Sequence, residues 1–84
     1  MNPKTSSLVT WLSNYLDKWV NFMFKGQTEY EIYKVNNVYL DGYVEVISEA
    51  DANGTVYLQM LNLDDVSTVA IDILETDVEP PKEV

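Results

Sequence analysis

The hydrophobic pattern changes period at Lys25-Gly26, and this break limits what the chain can become more than any other feature. Before it, Leu8, Trp11, Leu12, Tyr15, Leu16, Trp19, Val20, Phe22 and Met23 fall on one side of a helical wheel. Thr10, Ser13, Asn14, Asp17, Lys18 and Asn21 fall on the other. The spacing predicts an amphipathic helix over about 3–25. Asn2-Pro3 offers an N-cap and a first-turn proline. Lys25-Gly26 offers a cation in the last turn and a terminating glycine.

Beyond Gly26 the period is two. Tyr30 and Ile32, then Val38, Leu40, Val44 and Val46, then Val56, Leu58 and Met60, then Val69, Ile71 and Ile73 alternate with polar or tyrosine positions. Four strands are predicted, at about 28–34, 38–49, 55–61 and 68–74. Their separators are short, so the sheet is expected to be antiparallel. A two-residue turn at Asn36-Asn37 would turn Glu29 and Glu31 inward with Val44 and Val46. A three-residue loop, Val35 to Asn37, instead pairs Lys34 with Val38 and keeps both glutamates outside, avoiding unpaired buried carboxylates. Asp41-Gly42 is a rival turn signal, but the alternation runs through it, so Gly42 is read as a bulge.

The expected fold is α+β: an N-terminal amphipathic helix packed on a curved antiparallel sheet of four to five strands. It occupies 1–74 as one domain, followed by a flexible acidic tail, 75–84, that carries Pro80-Pro81. The plan resembles that of Sm-like and SH3-like small barrels, a likeness of architecture that no sequence motif carries. The helix row Leu8, Leu12, Tyr15, Trp19 and Met23 is expected to pack on Tyr30, Ile32, Val44, Val46, Leu58 and Ile71.

Composition narrows the chemistry. The chain has 84 residues, a net charge of −9, and neither Cys, His nor Arg. Disulfides, Cys or His metal ligation, and catalytic groups built on those side chains are therefore excluded. No cofactor is implied. Glu49-Ala-Asp51-Ala-Asn53-Gly54 imitates part of a calcium loop, but Glu49 stands where that loop needs Asp and Met60 where it needs Glu. A hairpin turn explains Asn53-Gly54 better. Paired carboxylates could serve glycoside hydrolysis, yet so small a domain rarely encloses the cleft that reaction needs. An enzyme is not expected. The first 25 residues lack the unbroken apolar run of a signal peptide or membrane span, so a cytoplasmic location is expected.

Charge is partitioned along the chain. Residues 1–28 carry three lysines against Asp17, a net +2, whereas residues 29–84 carry two lysines against thirteen carboxylates, a net −11. In the chosen register Glu29, Glu31, Tyr33, Tyr39, Asp41, Tyr43, Glu45 and Glu49 share one sheet face, with Glu31 opposite Asp41. A solvated outer face is the bland explanation. The sharper one is a docking surface for a basic partner, in the manner of an inhibitor that mimics nucleic acid. Direct nucleic-acid binding is not expected of so acidic a chain. A second possibility is a homo-oligomer assembled through the aromatic helix, whose edge residues Trp11 and Phe22 lack obvious partners within the chain.

Overall fold

The computed structural model describes residues 2–78. A helix α1 (Pro3–Leu12) leads into strands β1 (Trp19–Phe24), β2 (Glu31–Val38), β3 (Tyr43–Ser48) and β4 (Leu58–Asn62). A 3-10 turn at Leu63–Asp65 then joins β4 to β5 (Val66–Ala70). The five strands form one antiparallel sheet in the order β4-β3-β2-β1-β5. The α+β class and antiparallel sheet are as expected from sequence. The sheet is not closed into a barrel, since β4 and β5 are its two edges.

The helix is much shorter than its apolar periodicity implied. Asn2 caps it, its Oδ1 accepting the Thr5 N–H at 2.8 Å, with Pro3 in the first turn. Its end comes at Leu12. The Ser13 hydroxyl and the Asn14 amide donate back to the carbonyls of Val9 and Thr10, and the N–H groups of Asn14 and Tyr15 reach only three residues back, to Trp11 and Leu12. Asp17 then adopts φ 63°, which reverses the chain. What was read as the second half of the helix is β1. Val20 and Phe22 turn inward, and Asn21 and Met23 outward. Aromatic and β-branched residues at this density suit a strand, and a six-residue stretch satisfies either period.

The first loop of the sheet was also misplaced. The turn lies at Asp41-Gly42: Gly42 takes φ 99°, its N–H donates to the Tyr39 carbonyl at 3.1 Å, and Tyr39 N–H donates to the Tyr43 carbonyl at 2.9 Å. The irregularity lies at Asn36, where the register between β2 and β3 slips between Val35↔Val46 and Asn37↔Glu45. Parity explains the exchange. Val38 pairs with Val44, an even separation, so alternation passes through the turn unbroken. Val35 and Val38 both reach the core although three apart, because the bulge absorbs the odd residue. The two roles are interchanged relative to the sequence reading.

One sheet face builds the core. Val20, Phe22, Val35, Val44, Val46 and Val66 are buried there with Val9 and Leu12 of α1 and Leu63 of the 3-10 turn. Of the partners expected for the helix, Val44 and Val46 are buried; Ile32 and Ile71 are only half-buried, and Tyr30 and Leu58 are exposed. A tether holds α1 in place. Asp64 of the 3-10 turn accepts from the buried Thr5 hydroxyl and from the Asn2 side chain at 3.4 Å. In the tail, Glu75–Asp77 forms a single 3-10 turn; residues 79–84 lie outside those described.

Candidate partner-binding surface

Strand register decides which side chains can act together. Cross-strand partners share a face, so Val20↔Tyr33 and Phe22↔Glu31 put Tyr33 and Glu31 on the core side. Tyr33 is half-buried, its ring edge-on to Phe22 with centroids 5.9 Å apart and planes at 68°. Its hydroxyl donates to Glu31 at 3.1 Å. Burial, helped by the charge and hydrogen bond of Glu31, pushes the Tyr33 phenol above its ordinary range. Tyr43 and Glu45 lie on the opposite, outer face, with Tyr43↔Asn62 and Glu45↔Met60.

The eight residues expected on one face therefore separate into two groups. Glu29, Glu31, Tyr33 and Glu49 gather at the β1–β2 turn end, where Glu31, Tyr33 and Glu49 line a shallow depression with Tyr30 and Asn21. Tyr39, Asp41, Tyr43 and Glu45 gather at the other end, around the β2–β3 hairpin. Glu31 and Tyr33 lie on β2 itself, and Glu45 pairs with Asn37. Tyr33 and Glu45 are therefore four residues apart along the strand, roughly 14 Å at about 3.4 Å each, and on opposite faces. Glu31 stands opposite Phe22 rather than Asp41, so the like-charge pair expected from sequence does not form. Turn and bulge had been exchanged, and every residue on one side of the error changed face.

The hairpin group is ordered. Glu45 accepts from the Asn36 side chain and, at 3.4 Å, from the Tyr39 hydroxyl. The bulge at Asn36 supplies the first of these donors, so the irregularity positions a carboxylate beside β4.

Of the two residues expected at the helix edge, only Trp11 lies in the helix. Phe22 is not in a helix at all; it lies in β1 and is fully buried. Trp11 is half-buried and stacks on Tyr15 at 4.3 Å between centroids.

The surface that sequence reading missed is β4. Leu58, Met60 and the preceding Val56 and Tyr57 are each at least half exposed. Thr55 to Leu63 contains no charged residue, a signal legible in sequence, although its alternation was taken to mean burial. On the outer face the ladder Trp19↔Lys34↔Ile47↔Leu58 crosses four strands, and Met60 lies next to Leu58 along β4. The turn before β4 is built on Asp51. Its Oδ1 accepts the N–H groups of Asn53 and Thr55 at 2.9 and 3.0 Å, and its Oδ2 accepts from the Tyr57 hydroxyl at 3.2 Å. The bonds from Thr55 and Asn53, with a smaller contribution from Tyr57, hold the Asp51 carboxyl below its ordinary range. The acid side chain read as part of a calcium-like loop is thus committed to turn formation.

Among the described residues no cluster of three or more acidic groups could hold a metal ion, and no helix is long and apolar enough to cross a membrane. Comparison with protein-family models, with curated proteins and with solved structures found no match.

Proposed function

We infer that this is a non-enzymatic, acidic protein-binding module that docks on a basic partner protein. One observation carries the reading: exposed apolar residues and carboxylates occupy the same half of the sheet. Tyr43, Tyr57, Leu58 and Met60 are exposed on β3, β4 and the approach to β4. Glu45 lies beside Met60, Asp51 hydrogen-bonds Tyr57, and Asp64 follows β4 directly. Lys4, Lys18 and Lys25 lie on α1 or flank β1, and Lys34 lies on the outer face of β2, two strands from Leu58. Apolar contact area framed by one sign of charge is the make-up of a docking surface, with the charge steering encounter and the apolar groups holding the complex. The division of the acidic residues into two groups favours this local contact over an extended imitation of a phosphate backbone.

A bent, small-barrel-like sheet is part of the proposal. In a flat sheet β4 and β5 would lie roughly 19 Å apart, at about 4.8 Å per strand. Only Leu63–Asp65 joins them, and a 3-10 turn rises about 2 Å per residue. Two bonds support the bend: Leu63 N–H donates to Gly42, continuing the β3–β4 ladder, and Lys25 N–H donates to Asp65, continuing the β1–β5 ladder. Residues two apart in the chain thus belong to ladders at opposite sides of the sheet.

The test compares paired charge reversals at equal net charge, using an immobilised lysine-rich polypeptide. Glu45→Lys with Asp51→Lys is expected to abolish retention at low salt, whereas Glu29→Lys with Asp72→Lys is expected to preserve most of it. Equal losses from both pairs would reduce the surface to net charge and remove the reading. At 1 M salt, where the screening length is about 3 Å, retention of the wild type should weaken sharply.

A further inference from the structure

The hydrogen-bond phase of the β3–β4 ladder identifies which backbone groups face outward. Ser48 N–H donates to the Tyr57 carbonyl and Leu63 N–H to the Gly42 carbonyl, both at 2.9 Å. These bonds bracket the ladder, so the pairs Val46↔Gln59 and Val44↔Leu61 between them are the hydrogen-bonded ones. Leu58 and Met60 accordingly turn their N–H and C=O groups away from β3, towards the open edge of the sheet. Their side chains stand on the outer face and are 65% and 53% exposed. Edge strands are normally blunted by lysine, proline or a bulge on the strand itself. β4 carries none of these. The other edge, β5, differs, presenting Ser67 and Thr68 to solvent.

We propose that the β4 edge binds an extended segment of a partner protein by strand addition, a segment in which apolar residues alternate with Lys or Arg. This deepens the reading of the protein as an acidic module and rests on it. Main-chain bonds to Leu58 and Met60 hold the added strand, whose apolar side chains lie against these two residues on the outer face. The alternation carries its cations on the opposite face, where they meet Asp51, bonded to Tyr57, at the start of β4 and Asp64, on the side of α1, at the end. Charge selects this occupant over a second copy of the chain. Two β4 edges paired antiparallel would set the Asp51 end of each against the Asp41 and Asp64 end of the other, carboxylate against carboxylate.

The experiment uses a fluorescent decapeptide of alternating lysine and valine, a version N-methylated on every second amide, and a glutamate–valine counterpart. The intact protein is expected to bind the first by fluorescence anisotropy and not the third. N-methylation should weaken binding by more than about tenfold at unchanged charge, because it removes the main-chain donors. Met60→Pro should do the same while the circular dichroism spectrum is retained. Its N–H points off the sheet, so proline there breaks no bond of the fold. If Met60→Pro fails to fold, Met60→Lys keeps the backbone and should repel the peptide to a similar extent. Equal binding of the plain and methylated peptides, untouched by either Met60 variant, would overturn strand addition and leave the acidic-module reading in place. Absence of binding to the lysine–valine peptide would overturn both. A wild type that sediments as a dimer, with Met60→Pro a monomer, would assign the edge to a second copy and overturn the proposal.

Discussion

Truncating Phe22 to alanine discriminates sharply between a strand and a helix at residues 19–24. In a helix running to residue 25, Phe22 would lie at the margin of the apolar face and its removal would cost little. In β1 it is among the largest fully buried side chains, packed on the Tyr33 ring and paired across the ladder to Glu31 and Val69. Phenylalanine-to-alanine changes at such sites cost about 3–5 kcal/mol, combining lost transfer energy with the cavity left behind. A domain of 84 residues has roughly 4–13 kcal/mol of stability in total. The variant should therefore lose a large fraction of it, and its melting temperature should fall by about 15–30 °C. Trp19→Ala is the internal control. Trp19 lies in the same strand on the outer face, 45% exposed, and its loss should cost about 1 kcal/mol or less. Urea titration followed by circular dichroism measures both. The reverse order, with Trp19→Ala severe and Phe22→Ala mild, would mean that β1 presents its other face to the core, and the register described here would be wrong.

Asn2→Ala removes the cap of a ten-residue helix and its link to Asp64, so a loss of about 1 kcal/mol is expected in the same titration. Gly42→Ala forces a side chain into the left-handed region at φ 99° and should cost about 1–2 kcal/mol. Asp51 has a folded pKa below its unfolded value, near 3.8. Its contribution is complete above that value and is lost as pH falls through the folded pKa; Asp51→Asn should therefore flatten the decline in melting temperature below about pH 4. Tyr33 is displaced upward, so its contribution is complete below pH 10 and is lost as pH rises through the folded value. Tyr33→Phe should reduce the alkaline loss of stability seen in pH-dependent melting.

Fold class was legible in the sequence because it depends on coarse features: one capped helix start at Asn2-Pro3, then repeated alternation between turn residues. Boundaries were not. Trp19 to Phe24 is short enough to suit a helical or a strand period, and the deciding facts are conformational, namely the carbonyls taken by Ser13 and Asn14 and the positive φ at Asp17. At Asn36 and Gly42 the alternation was read correctly but could not distinguish an even-length turn from a continuous strand. That ambiguity moved Glu31 and Tyr33 to the wrong face and dispersed the expected acidic site. β4 was overlooked for a further reason. Alternation reveals that a strand has two faces, whereas burial depends on what lies beyond its edge, which is a property of strand order.

Strand order also gives meaning to where the charges are absent. If acidic residues served solubility alone, the exposed edge would be the place most in need of them, since an uncharged edge strand invites pairing with other chains. Thr55 to Leu63 holds none. Carboxylates instead bound it: Asp51 fixed by its turn, Glu45 held by Asn36 and Tyr39, and Asp64 held by Asn2 and Thr5. Each belongs to a hydrogen-bonded structure that fixes its position, unlike a freely solvated side chain. Charges fixed at the ends and flank of an apolar strand repel a second acidic copy of the same edge and attract a cationic one. Under the proposal of strand addition, such an arrangement would set partner choice through the differences in electrostatic energy between competing strands. Net charge alone would not achieve this, because it repels or attracts without regard to register.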